Sequence, residues 1–127
     1  MKNIIKLIVV LLCLLSIDAV AQEARDTVYA FVEEMPEYPG DLYRYLSNEI
    51  RYPAEDRKKN KQGKVILQFI VEKDGSLTDI TIIKSATKRM DEESLRVIRN
   101  MEKWKPAMQN GKPVRLMFTL PIAFKLT

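Results

Sequence analysis

The feature that most constrains this fold is a strict alternation of side chains along residues 112–126. Apolar residues occupy every second position, namely Val114, Leu116, Phe118, Leu120, Ile122, Phe124 and Leu126. Because the side chains of a strand alternate between its two faces, this pattern predicts a long strand with one buried face. The other face is mixed and includes Pro121, which lacks an N–H and is tolerated mainly in edge strands or at bulges. We therefore predict that this strand lies at a sheet edge, where its main chain can pair with another chain.

The first residues have the features of an export signal. Lys2 and Lys6 precede an unbroken apolar run over residues 7–15, and Ala19-Val20-Ala21 matches a small-residue cleavage site. We predict that residues 1–21 are a signal peptide and that the mature chain starts at Gln22. The alternative is an uncleaved anchor in the inner membrane, which needs about 20 apolar residues, and Asp18 interrupts this run.

Composition excludes several kinds of site. The chain has no histidine, and its one cysteine, Cys13, lies in the predicted signal peptide. A Cys/His metal site, a disulfide and a histidine-based catalytic triad are therefore excluded for the mature chain. Glu33, Glu34 and Glu37 are close in sequence, but nothing pairs them as acid and base. Without a nucleophile–base arrangement we expect no enzyme and no cofactor. The mature chain has 19 basic and 16 acidic residues, a mild charge of +3, and because it is predicted to be exported we expect no nucleic-acid partner.

Proline and glycine divide the mature chain. We predict an extended arm over residues 22–39, because two prolines and a glycine interrupt residues 35–40, and a single domain over residues 40–127. Asp41 can cap a first helix, which should end before Pro53. Asp91, followed by two glutamates, predicts the start of a second main helix.

A β-hairpin precedes that second helix. Residues 63–71 alternate, Asp74-Gly75 is a strong turn signal, and residues 77–84 form the returning strand. Hairpin, helix and last strand give a β-β-α-β core preceded by a helix. We predict an α+β two-layer sandwich whose three-stranded antiparallel sheet has the order 2-1-3 and whose two helices cover one face.

The chain resembles the C-terminal domain of TonB, the energy transducer of Gram-negative envelopes. The matching segments are Tyr52-Pro53-Ala54, Gln62-Gly63-Lys64-Val65, Phe69-Ile70-Val71, Asp74-Gly75, Ile82-Ile83-Lys84-Ser85, Asp91, Trp104-Lys105-Pro106, Gly111-Lys112-Pro113-Val114 and Phe118-Thr119-Leu120-Pro121-Ile122. The resemblance covers residues 35–126 and rests on the order and spacing of these segments together.

The resemblance implies a periplasmic module that captures an extended peptide of an outer-membrane transporter by β-strand addition, in support of TonB-dependent transport. The capturing residues would be Val114, Arg115, Leu116, Met117, Phe118, Thr119 and Leu120. Tyr52 and Pro53 match a family motif associated with transporter contact, although the same pair can simply end a helix and bury a ring.

Two alternatives concern partners. The module could instead be a stand-alone assembly protein that dimerises through the same edge strand. The resemblance also implies an inner-membrane motor complex as a partner. However, the predicted arm from Gln22 to Tyr38 reaches only roughly 60 Å, and the chain lacks the histidine of the family's anchor. We therefore expect peptide binding rather than energy transduction by this polypeptide alone.

Two further features have alternative interpretations. The basic run over residues 57–61 could contact anionic lipid headgroups or cell-wall polymers, but a solvated surface is the more common reason for such a run. Trp104 follows the second main helix, and we expect it to pack into the core rather than contact a partner.

Overall fold

The computed structural model describes residues 27–127, so the predicted signal peptide and the first part of the predicted arm lie outside the described residues. The elements in chain order are β1 (Val28–Tyr29), α1 (Leu42–Glu49), α2 (Ala54–Lys58), β2 (Gly63–Val71), β3 (Leu77–Lys84), α3 (Lys88–Arg99), β4 (Ala107–Gln109) and β5 (Lys112–Phe124). The α+β class is as predicted. Among the described residues, no helix has the length and apolar character needed to cross a membrane.

The sheet has five strands in the order β1-β5-β2-β3, with β4 paired to β5. β2 lies between β3 and β5 and is antiparallel to both. The prediction of a three-stranded sheet with the last strand at its edge is therefore wrong in two respects. β4 and β5 form a hairpin, and β1 pairs in parallel with Arg115 and Leu116 outside β5. β1 has two residues and β4 has three, so neither is long enough to show a clear alternation.

The β2–β3 hairpin is held by its turn. Gly75 has a φ of +86°, which a residue with a side chain rarely adopts. Asp74 Oδ1 accepts hydrogen bonds from the backbone N–H of Ser76 at 3.0 Å and from its hydroxyl at 2.6 Å. The Gly75 carbonyl accepts a hydrogen bond from the Trp104 N–H at 2.9 Å. The turn is therefore fixed against the chain that follows α3.

Helices α1 and α3 begin at side-chain caps. Asp41 accepts from the N–H of Arg44 at 3.1 Å, as predicted for the start of α1. The start of α3 differs from the prediction, because Thr87 is the cap and accepts from the N–H of Met90 at 3.1 Å. Asp91 lies one turn inside the helix, where its carboxylate accepts from the N–H of Ala86 at 3.0 Å. It therefore fixes the chain that enters the helix.

One hydrophobic core lies between the helices and one face of the sheet. Its buried members are Leu46 from α1, Met90, Val97 and Ile98 from α3, Val65, Leu67, Phe69 and Val71 from β2, Leu120, Ile122 and Phe124 from β5, and Trp104. The β2 and β5 residues are the alternating apolar positions of the two strands, so the buried face is the one that the pattern predicted. The Tyr45 hydroxyl donates to the Val97 carbonyl at 3.0 Å and ties α1 to α3.

The predicted arm is partly fixed against the domain. Beyond β1, Glu34 bridges to Met108 and Glu37 bridges to Lys105. Tyr38 packs in an edge-to-face manner on Trp104, with ring centroids 5.8 Å apart. This segment therefore adds to the fold rather than extending freely from it.

Candidate functional site

The candidate site is the side of β5 that faces away from β2. β2 covers the inner side of β5 from Leu116 to Phe124. On the outer side, β1 pairs only with Arg115 and Leu116. Within residues 27–127, no strand or isolated bridge pairs with the outer side of residues 117–124. We call this row of main-chain groups the open edge.

The open edge begins at Met117, three residues later than the capturing segment that the sequence predicted from Val114. Of the predicted capturing residues, Val114 pairs with Ala107 in β4, whereas Arg115 and Leu116 pair with β1. The remaining predicted residues, Met117, Phe118, Thr119 and Leu120, lie within the open edge, which continues to Phe124. The binding role of every one of these residues stays a prediction.

Side chains on the two faces give the open edge different surroundings. On the helix-covered face, Leu120, Ile122 and Phe124 are buried, so the strand cannot move without disturbing the core. On the other face Met117 is 42% exposed, so an apolar side chain is accessible beside the main chain. The edge is therefore a rigid strand with accessible apolar surface beside it.

Pro121 divides the open edge. It pairs across from Ile66 in β2 and contributes no N–H. Residues 117–120 are therefore the longest stretch of the edge that retains its full set of backbone donors. Proline within an edge also limits uncontrolled pairing with other strands.

An ion pair lies where β1 stops covering β5. Arg115 donates from Nε to one Glu72 oxygen at 2.8 Å and from Nη2 to the other at 2.9 Å. The Thr78 hydroxyl donates to the same carboxylate at 2.6 Å. The hydrogen bonds from Arg115 hold the pKa of Glu72 below its ordinary value. Residues from β3, the end of β2 and β5 are thus joined on the face opposite the helices.

Tyr52 and Pro53 lie at the far end of the open edge. The Tyr52 ring meets Phe124 edge-to-face with centroids 5.8 Å apart, and its hydroxyl donates to the Lys61 carbonyl. The Arg57 guanidinium lies 5.4 Å above the same ring. These contacts support the interpretation that Tyr52 packs its ring within the fold. The pair therefore lies beside Phe124, at the end of the open edge and four residues beyond the last predicted capturing residue, Leu120.

A groove next to Pro53 includes charged residues that the sequence did not single out. It has a volume of about 490 Å³, and its lining comprises Arg51, Tyr52, Pro53, Ala54, Glu55, Arg89, Glu92, Glu93 and Arg96. Glu93 accepts from Arg96 at 2.7 and 2.9 Å and from the backbone N–H of Arg51 at 2.6 Å. The Arg96 hydrogen bonds lower the pKa of Glu93. The i, i+3 spacing of Glu93 and Arg96 was the available sequence signal.

The described residues contain no group of three or more Cys, Asp or Glu side chains that could hold a metal ion. Among the groove's carboxylates, Glu93 accepts from Arg96, whereas Glu55 and Glu92 lie exposed. No serine, threonine or cysteine lines the groove, and the hydroxyl of Tyr52 donates to the Lys61 carbonyl.

Comparison with known proteins identifies a matching family and similar solved structures. The family model described as "Gram-negative bacterial TonB protein C-terminal" matches residues 48–126. Among solved structures, a solution structure of the TonB C-terminal domain of Helicobacter pylori is similar with a TM-score of 0.51 and 23% identity, covering 67% of this chain and 77% of that one. A solution structure of the Pseudomonas aeruginosa TonB C-terminal domain gives a TM-score of 0.49 and 27% identity, covering 60% and 77%. The search of curated proteins found no match.

Proposed function

Because the chain belongs to the family of Gram-negative TonB C-terminal domains, a non-enzymatic and transport-related family, we propose that it captures an extended peptide of an outer-membrane transporter. Capture occurs by β-strand addition along residues 117–124. The observation that carries this proposal is the open edge, a row of main-chain groups with no partner strand among residues 27–127. In strand addition, main-chain hydrogen bonds supply affinity and pockets for alternate side chains supply selectivity.

Two features of the edge support this mode of binding. The strand is already ordered by the β2 pairing and the core, so little conformational entropy is lost on the protein side. β1 already pairs in parallel with the same side of β5 at Arg115 and Leu116. The visiting segment would continue along this side from Met117, next to β1. Tyr52 and Pro53 would meet the part of the partner that passes Phe124.

The predicted signal peptide supports a periplasmic location for this module, where a transporter's periplasmic segment would be accessible. Connection to an inner-membrane motor complex would require a separate anchored partner. The same edge offers a second possibility, which is pairing with a second copy of the chain. Sedimentation equilibrium of the purified protein distinguishes the two, because a tight edge-to-edge dimer leaves no edge for a peptide.

The test uses a synthetic peptide copied from the extended periplasmic segment of a TonB-dependent transporter of the same cell. Its affinity is measured by titration calorimetry, together with a set of peptides that are each N-methylated at a single residue. Successive residues of a strand point their N–H groups to opposite sides, so methylation should weaken binding at every second position only. We expect at least about a tenfold loss at the sensitive positions, since each removes a hydrogen bond and adds a clash.

The insensitive neighbouring positions are the matched controls within the same peptide. A uniform response to methylation along the peptide would contradict strand addition, even if the peptide binds. Absence of binding by every transporter segment, with a monomer in the centrifuge, would contradict the proposed function itself.

A further inference from the structure

One end of the domain concentrates exposed positive charge. It is the end where β2 begins and where β3 and β5 finish. The exposed basic residues there are Arg57, Lys58, Lys59, Lys61, Lys64, Lys84, Lys88, Arg89 and Lys125. These nine are half of the lysines and arginines in residues 27–127. We call this surface the cationic end.

Specific contacts bring these separate segments together. The Thr87 hydroxyl donates to Asp56 at 2.5 Å, which holds the start of α3 against α2. Tyr52 contacts Phe124 and donates to the Lys61 carbonyl, which holds the α2–β2 connection beside the end of β5. The basic residues thus come from α2, the α2–β2 connection, β2, β3, α3 and the residue after β5, so the surface exists only in the folded chain.

Few carboxylates offset this charge. The acidic groups at this end are Glu55, Asp56, Asp91, Glu92 and the C-terminal carboxylate of Thr127. Asp56 is 1% exposed and does not face the solvent. The Asp91 oxygens accept from Ala86 and from the Ser85 hydroxyl. Nine basic residues thus stand against five acidic groups, so the cationic end has a positive excess of four, which equals the formal net charge of the whole chain, +4. The positive charge of the chain is therefore concentrated at this end.

The form of the surface indicates the kind of partner. The basic side chains are exposed and spread over six segments, and of the nine only Arg89 lines the groove beside Pro53, so they do not together enclose a small anion. The aromatic ring among them, Tyr52, has its surface occupied by Phe124 and Arg57 and cannot stack on a base. A partner with charge spread over a broad surface fits best. We propose that the cationic end binds the anionic phospholipid headgroups of a membrane.

Binding with the cationic end against the membrane has a consequence for the open edge. Phe124 and Lys125 would lie next to the headgroups, and residues 117–123 would point away from them along the strand. The edge would remain accessible while the domain is held at the membrane. This inference does not depend on the proposed function, because no residue of the cationic end is required for main-chain pairing at residues 117–120.

The experiment is co-sedimentation of the purified full chain with vesicles of pure phosphatidylcholine and with vesicles containing phosphatidylglycerol. The test variant replaces four cations, none in an ion pair among residues 27–127, by glutamine: K59Q, K64Q, K88Q and K125Q. Each removed cation should weaken binding to anionic vesicles by about fivefold. Because electrostatic contributions are not additive in general, we expect a combined loss of at least about 50-fold, and a steep decline of wild-type binding with salt.

The matched control variant removes the same number of charges at other places, with R44Q, R99Q, K105Q and K112Q, and should retain most of the binding. The N-terminal apolar run and its flanking Lys2 and Lys6 are identical in all three proteins, so they do not cause a difference between the variants. Equal binding to both vesicle types, or equal losses in the two variants, would overturn the proposal. Binding to soluble polyphosphate as tight as to anionic vesicles would overturn the lipid assignment in favour of a general polyanion. The transporter peptide should bind all three proteins alike, which separates this inference from the proposed function.

Discussion

The ring of Tyr52 stands at 83° to the ring of Phe124, with centroids 5.8 Å apart, so the residue before Pro53 is packed against the end of the last strand. This contact joins the two parts of the chain that the sequence associated with binding. It also explains why Tyr52 is needed for the fold whether or not it meets a partner.

Replacing Tyr52 by phenylalanine tests which role dominates. Y52F keeps the edge-to-face contact with Phe124 but removes the hydroxyl that donates to the Lys61 carbonyl. We expect the free energy of unfolding to fall by about 1 kcal/mol. Peptide affinity should change less than about twofold, because the hydroxyl is engaged within the domain. A large loss of affinity without a loss of stability would assign the hydroxyl to the partner instead.

Gly75 should tolerate no side chain. In G75A, the new Cβ would lie 1.9 Å from the Trp104 carbonyl oxygen, and the φ of +86° would be strained as well. We expect destabilisation of more than about 3 kcal/mol in urea unfolding, because backbone on both sides must move. G111A is the matched control: its φ is +72°, but nothing lies within 4 Å of the added carbon. It should cost about 1 kcal/mol, and equal effects of the two changes would refute the steric argument.

Trp104 is the only tryptophan and is 3% exposed, between Phe69, Phe118 and Tyr38. Its Nε1 has no hydrogen-bond partner in residues 27–127, so replacing it by phenylalanine removes volume but no hydrogen bond. We expect W104F to cost about 1–2 kcal/mol and W104A about 3–5 kcal/mol, measured by circular dichroism during urea unfolding. If W104F lowered the free energy of unfolding as much as W104A, the indole N–H would have to form a hydrogen bond in solution, which phenylalanine cannot replace.

Glu72 should make stability depend on acid pH. Arg115 holds its folded-state pKa below the unfolded value, so the ion pair stabilises the fold above the unfolded pKa of about 4.3. This contribution is lost as pH falls through the lower folded pKa. Since both side chains are partly exposed, we expect E72Q to cost only about 0.5–1 kcal/mol at pH 7.

The difference between wild type and E72Q should shrink as pH falls below about 4, because both proteins then have a neutral group at residue 72. Urea midpoints between pH 2 and pH 7 provide the measurement. The matched control is E92Q, whose carboxylate is exposed and forms no ion pair within the described chain. A pH-independent difference for E72Q would show that packing, and not the ion pair, causes the loss.

The strands and turns with strong local signals could be predicted from the sequence. The alternation in β2 and β5 identified the buried faces, and Asp74-Gly75 identified the hairpin turn. Asp41 was correctly predicted as a cap, whereas Asp91 was not, because Thr87 competes for the same role and its hydroxyl reaches the Met90 N–H. Local chemistry can decide that a helix starts nearby but not which of two capping residues is used.

Sequence alone determined that one face of the last strand must be buried. Apolar residues at every second position put all their side chains on one face of a strand, and removing that face from water is favourable. Only the tertiary structure decided which part of that strand remains open. β1 covers the strand at Arg115 and Leu116 through backbone hydrogen bonds, which any residue can make, and leaves the residues after them open. The cationic end has the same origin. Charges from α2, β2, β3, α3 and Lys125 add up only where folding brings them together, and linear spacing does not encode that proximity.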